Sequence, residues 1–203
     1  MGLLSRFLGR NEKPRNISVE EQVGILEALG FKPKAAGFID YVCREWGRER
    51  VEAAPYDLLL FSLGGEHEVD GKWIPLSDDI YCFDTECVES DNAYEVCLKR
   101  LSVISKGMLD MANISSKINH EACAANVSFA YRNKVYDWEP VYDDDWFDCG
   151  IIYRINSLIK ESGSNRFFYT MSADQHLCIV FASEVMISEL NKLTQIPFKM
   201  HCL

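Results

Sequence analysis

The chain has 203 residues, 48% of them hydrophobic, and a formal net charge of −10 from 31 acidic and 21 basic side chains. That much apolar material supports a packed core and excludes global disorder. The acidic balance argues against a sequence-independent nucleic-acid binder, which needs cations facing phosphates. It is compatible with a basic protein partner, a bound cation or plain solubility.

Residues 1–16 read as a basic flexible tail. Arg6, Arg10, Lys13 and Arg15 surround Leu3, Leu4, Phe7 and Leu8, too short an apolar run for a secretory signal. The alternative is a short amphipathic helix touching a membrane or partner. Residues 17–203 are expected to form a single α+β domain. No segment approaches the roughly 20 apolar residues that a membrane span requires.

A helix is predicted at 18–29, where Ser18 and Glu21 fit a capping box and Gly30 suits the position after the last turn. A second follows at 35–48, with Phe38, Val42 and Trp46 on one stripe. Tyr56 to Leu63 is a continuous apolar run and reads as a buried strand ending at Gly64-Gly65. Glu66-His67-Glu68 reads as a polar loop. Short strands are expected at Lys72–Leu76 and Ile80–Asp84, then a long helix over 92–110 with Val96, Leu101, Ile104 and Met108 inward.

Residues 114–120 give another strand. Val127–Tyr131 and Val135–Trp138 read as a hairpin closed at Arg132-Asn133-Lys134. A helix over 149–162 follows, then a second hairpin from Arg166–Met171 and Leu177–Phe181. A last helix covers 183–194 with Ser183 as its cap. Sequential strands without helical crossovers favour antiparallel pairing. The expected architecture is a mainly antiparallel sheet with helices packed on it and an N-terminal helical portion.

Charge is unevenly placed. Residues 51–95 carry twelve acidic side chains against Lys72 alone, and residues 136–148 carry six with no cation. The second block interleaves acids with aromatics: Tyr136, Trp138, Glu139, Tyr142, Asp143, Asp144, Asp145 and Asp148 form a candidate partner-binding surface. Carboxylates steer a cationic partner, and aromatics supply contact area at low entropic cost. Against this stands a structural reading, with Trp138, Trp146 and Phe147 in the core and Asp143 to Asp145 at a helix N-terminus. Asp78, Asp79, Asp84 and Glu86 are a candidate secondary acidic patch.

Evidence for chemistry is thin. Asp143 to Asp145 fail the calcium-loop pattern, which needs alternate oxygen ligands and a glycine. His67, His120, His176 and His201 show no metal spacing, and no phosphate cradle or serine elbow occurs. No metal or other cofactor is expected. The eight cysteines form no C-x-x-C pair, lie in apolar surroundings and read as free thiols in a reducing, cytoplasmic compartment. A Cys–His nucleophile such as Cys178 with His176 is a remaining possibility, with nothing local to activate the thiol.

The run Tyr81-Cys82-Phe83-Asp84-Thr85-Glu86-Cys87, the long helix after it, the hairpin at Asn133-Lys134-Val135-Tyr136 and the helix opening Asp145-Trp146-Phe147-Asp148 together resemble small acidic bacterial immunity proteins. The resemblance implies a cytosolic inhibitor, without catalytic residues, that neutralises a basic toxin domain by binding it one to one. An accessory or structural module of a larger bacterial assembly and an unrecognised enzyme are the alternatives.

Overall fold

A computed structural model describes residues 17–200; the basic tail expected at 1–16, His201 and Cys202 lie outside them. The fold is α+β, and every strand pair is antiparallel.

Four helices come first: α1 (Val19–Ala28), α2 (Phe38–Trp46), α3 (Arg48–Ala53) and α4 (Asp57–Gly64). The Ser18 hydroxyl accepts from the Glu21 N–H at 3.2 Å, which is half of the expected capping box. The helix expected at 35–48 starts later and stops at Gly47, whose φ of 82° breaks the run and lets α3 begin in a new direction. The strand expected at 56–63 is helix α4. Its apolar run contains Leu58, Leu59, Leu60 and Phe61 and no β-branched residue, so strand propensity is weak and burial on several sides is met by a core helix.

Strands β1 (Glu66–Val69) and β2 (Lys72–Pro75) follow as a two-stranded hairpin, where a polar loop was expected before β2. Then come β3 (Ile80–Asp84), α5 (Ala93–Ile104), β4 (Met111–Asn119), β5 (Ala124–Tyr131), β6 (Lys134–Trp138), α6 (Gly150–Glu161), β7 (Arg166–Ala173), β8 (His176–Ser183) and α7 (Glu184–Leu190). Helix α5 is shorter than expected. Its inward residues are Tyr94, Cys97, Leu98, Leu101 and Ile104, whereas Val96 and Met108 face solvent. The turn between β5 and β6 has two residues rather than three, Arg132 and Asn133, both left-handed, with Lys134 already paired to Tyr131.

The central sheet has the order β3-β8-β7 and a core on each face. Strand β8 is buried on both sides. Leu177, Ile179 and Phe181 join α5, α6 and the sheet β4-β5-β6, while Cys178, Val180 and Ala182 join the N-terminal helices and α7. The period of two makes this division unavoidable once both faces are covered.

Pairing of β3 with β8 puts Cys82 directly opposite Cys178, and the two form a disulfide. The expectation of eight free thiols is corrected for this pair, because the strand register brings together two cysteines 96 residues apart. Cys43, Cys87, Cys97, Cys123 and Cys149 are free.

Side-chain amides replace missing backbone partners at three junctions, two of them at buried amides and the third, at Asn191, half-buried. Asn156 of α6 donates to the Phe168 carbonyl at 2.9 Å and accepts from the Phe168 N–H at 2.8 Å, closing the outer edge of β7. Asn191 treats Phe198 in the same way, at 2.9 and 2.7 Å. Gln22 accepts from the Tyr56 N–H at 2.9 Å and donates to the Ile17 carbonyl at 2.9 Å.

Candidate functional site

The two acidic blocks are distant in sequence and adjacent in space. After β3 the chain runs alongside residues 145–147. The Phe147 N–H donates to the Thr85 carbonyl at 2.7 Å, Glu86 bridges to Trp146, and the Val88 N–H donates to the Asp145 carbonyl at 2.8 Å. Phe147 is buried against Phe83 and Tyr94 and locks the pairing. Along and just beyond these backbone bonds lie Glu86, Glu89, Asp143 and Asp144, and all four are exposed. Trp146 stands among them at 41% exposure and Val141 lies beside them at 66%. Among the described residues no cation pairs with any of these carboxylates. The result is an acidic ridge with an exposed indole.

The residues expected to form the partner surface divide into four groups. Glu139, Asp143 and Asp144 are exposed, and Asp145 is half-buried. Tyr136 and Trp138 are half-buried on Phe129, and the Arg154 guanidinium lies 5.9 Å from the centre of the Trp138 ring. Asp148 is a clasp: its carboxylate accepts from the Gly150 N–H at 2.8 Å and the Val141 N–H at 2.9 Å, and its own N–H donates to the Tyr94 hydroxyl at 3.1 Å. Tyr142 meets His120 at 3.0 Å. Its phenol is pushed up, chiefly by desolvation and then by the charge of Asp144.

The secondary patch is not brought together. Asp78 and Asp79 precede β3 and Asp84 ends it, so the strand itself separates them by roughly 15 Å. Lys34 binds Asp78 at 2.9 Å, Lys106 binds Asp79 at 2.8 Å, and the Arg100 guanidinium lies 3.9 Å from Asp78. These two carboxylates are therefore neutralised locally. Asp84 accepts from Gln175 and from the Glu86 N–H, with Gln175 as the main cause that lowers its titration. Glu86 belongs to the ridge.

Sequence reasoning missed Trp146, Glu89 and Val141 as members of the ridge. The signal for Trp146 was present, since it alternates with the buried Phe147. Alternation implies that one of the two faces out, although it does not say which.

Chemistry beyond binding finds few supports. Cys178 is bonded to Cys82, so the Cys178–His176 pair weighed from the sequence offers no free thiol. Burial pushes the Cys87 thiol up to about 11, with Asp84 adding to it, and holds Cys97 well above its ordinary value. A groove of about 460 Å³ lies between α2, α4 and the β3–β8 end, lined by Tyr41, Trp46, Phe61, Phe83 and His176 among others. Its volume suits a small ligand. Two of its polar groups are engaged with each other or the backbone: the Trp46 Nε1–H donates to Ser62 at 3.0 Å and the Ser62 hydroxyl donates to the Leu58 carbonyl at 2.8 Å. Among the described residues no set of three or more His, Cys, Asp or Glu side chains is arranged to hold a metal ion, and no helix is long and apolar enough to cross a membrane.

Comparison with protein-family models, with curated proteins and with solved structures returned no match.

Proposed function

We propose that this chain is a stoichiometric protein-binding inhibitor of the immunity type, which covers a basic toxin domain with its acidic ridge. The observation that carries the reading is the backbone pairing of 85–88 with 145–147. It gathers Glu86, Glu89, Asp143 and Asp144 around one exposed tryptophan. An aromatic anchor inside a charged rim is the usual anatomy of a protein interface hot spot. Carboxylates without a cation partner among the described residues raise the encounter rate with a cationic partner and make it depend on salt. A stable interface needs roughly 800 Å² from each partner, more than the ridge alone, so flanking surface such as Tyr142 and Glu139 would join it.

The test begins with capture of the partner from the native cell and titration calorimetry of the purified pair. A one-to-one complex is expected, weakening with added NaCl and silencing the partner's activity at saturation. Changing Asp143, Asp144 and Asp145 together to Asn should slow association by about tenfold or more, while Trp146→Ala should speed dissociation. Unchanged kinetics in both variants would remove the ridge from the interface. A partner that stays fully active in the saturated complex would end the inhibitor reading.

A further inference from the structure

The hairpin β1–β2 stands apart from both cores. None of residues 66–75 is buried, and the two strands pair only with each other. Asp70 (φ 52°) and Gly71 (φ 75°) make a two-residue turn with both residues left-handed, and Val69 pairs with Lys72 across it. An isolated two-stranded ribbon is marginal in water and gains from a third strand. This one also presents Trp73 at 67% exposure, the most exposed tryptophan among the described residues.

Register decides which edge is open. The two-residue turn makes Val69–Lys72 a hydrogen-bonded pair, and pairs then alternate. Glu68–Trp73 and Glu66–Pro75 are the non-bonded pairs, so the backbone groups of Glu66 and Glu68 point outward from β1. On β2 the outward groups belong to Trp73 and Pro75, and a proline has no N–H to give. Strand β1 is the edge with a full complement of donors and acceptors. Among the described residues no backbone group bonds to it from outside the hairpin.

The faces differ as well. On one, His67 sets its ring edge against Tyr41 with the centroids 6.0 Å apart. The other carries Glu66, Glu68 and Trp73, because residues directly opposite share a face. No described cation pairs with Glu66, Glu68 or Asp70. Pairing β1 with a second copy of itself would set glutamates against glutamates, which disfavours self-association. A basic strand meets the opposite situation. Lysine or arginine at alternate positions would face Glu66 and Glu68. A long cationic side chain there lies two strand spacings, about 10 Å, from the Trp73 strand position, within reach of the indole face.

We propose that β1 is a docking edge for an extended basic polypeptide segment with Lys or Arg at alternate positions, which adds a third strand beside Glu66–Val69 on the Trp73 face. This site does not rest on the acidic ridge.

The experiment uses the full chain and a synthetic octapeptide alternating Arg with Thr, followed by backbone amide resonances and the Trp73 indole resonance, identified with Trp73→Phe. The expected result is saturable shifts at Glu66, Glu68 and Trp73. Methylating alternate peptide nitrogens on the pairing edge should abolish binding, and Glu66→Gln with Glu68→Gln should weaken it by about tenfold. Asp143, Asp144 and Asp145 changed to Asn should leave it intact. Equal binding by the methylated peptide would overturn strand addition. An unchanged affinity in the double Gln variant, or shifts confined to the ridge, would overturn the site.

Discussion

Replacing Asn156 with alanine should destabilise the whole molecule, and the structure sets the size of the loss. The Asn156 amide is 5% exposed and satisfies both the N–H and the C=O of Phe168. Truncation leaves two buried backbone groups without partners, at about 1–3 kcal/mol each, so about 2–6 kcal/mol in total. For a chain of this size that corresponds to a fall in Tm of roughly 4–24 °C. Urea denaturation followed by tryptophan fluorescence measures the loss directly. The Asn156→Asp variant sharpens the argument. Its carboxylate could still accept from the Phe168 N–H but would face the carbonyl with a negative charge. Protonated, it recovers a donor. The folded state therefore raises the pKa of the new Asp above its unfolded value. Relative to the native chain, the variant should be closest in stability below about pH 4, fall away as pH rises from there to the raised folded-state pKa, and level off above it. A loss under 1 kcal/mol for the alanine variant, together with an aspartate variant that follows the native pH curve, would refute the claim that this amide stands in for a missing strand.

Two other outcomes follow from single contacts. Glu20 is held at about 2, mainly by its hydrogen bond to Arg48, with the pair 2.8 Å apart. A depressed carboxylate contributes above its unfolded pKa and loses that contribution as pH falls toward 2, and Arg48→Met should return the Glu20 titration, read by carboxyl NMR shifts, to the ordinary range. Gly64 packs on β3 so closely that an added Cβ would sit 2.6 Å from the Cys82 backbone nitrogen. Gly64→Ala should therefore cost about 1–3 kcal/mol in urea denaturation, and a neutral result would mean that α4 and β3 can separate freely.

What the sequence revealed and what it concealed divide along physical lines. Local signals held where chemistry was local: Ser18 and Ser183 cap α1 and α7, and the hairpin expected at 166–171 and 177–181 matches the paired strands 166–173 and 176–183 to within a few residues. Leu58 to Phe61 misled because a short apolar run has no period, and the absence of β-branched residues was the better guide. Asp70-Gly71 was a readable hairpin signal and was overlooked between polar neighbours. Arg132-Asn133 was less readable, since a glycine usually marks such a turn. The acidic ridge could not be found from either block alone. It depends on bonds between residues about 60 positions apart, and the neutralisation of Asp78 and Asp79 by Lys34, Lys106 and Arg100 likewise joins residues distant in sequence.

Strand β8 has a consequence for how this molecule comes apart. Its odd-numbered side chains belong to one hydrophobic interior and its even-numbered ones to the other, so it acts as a party wall between two rooms. Neither side can lose order without exposing half of that strand to water. Heat or denaturant should therefore find one transition and not two, and damage among the first four helices should be felt by the aromatic cluster on the far side.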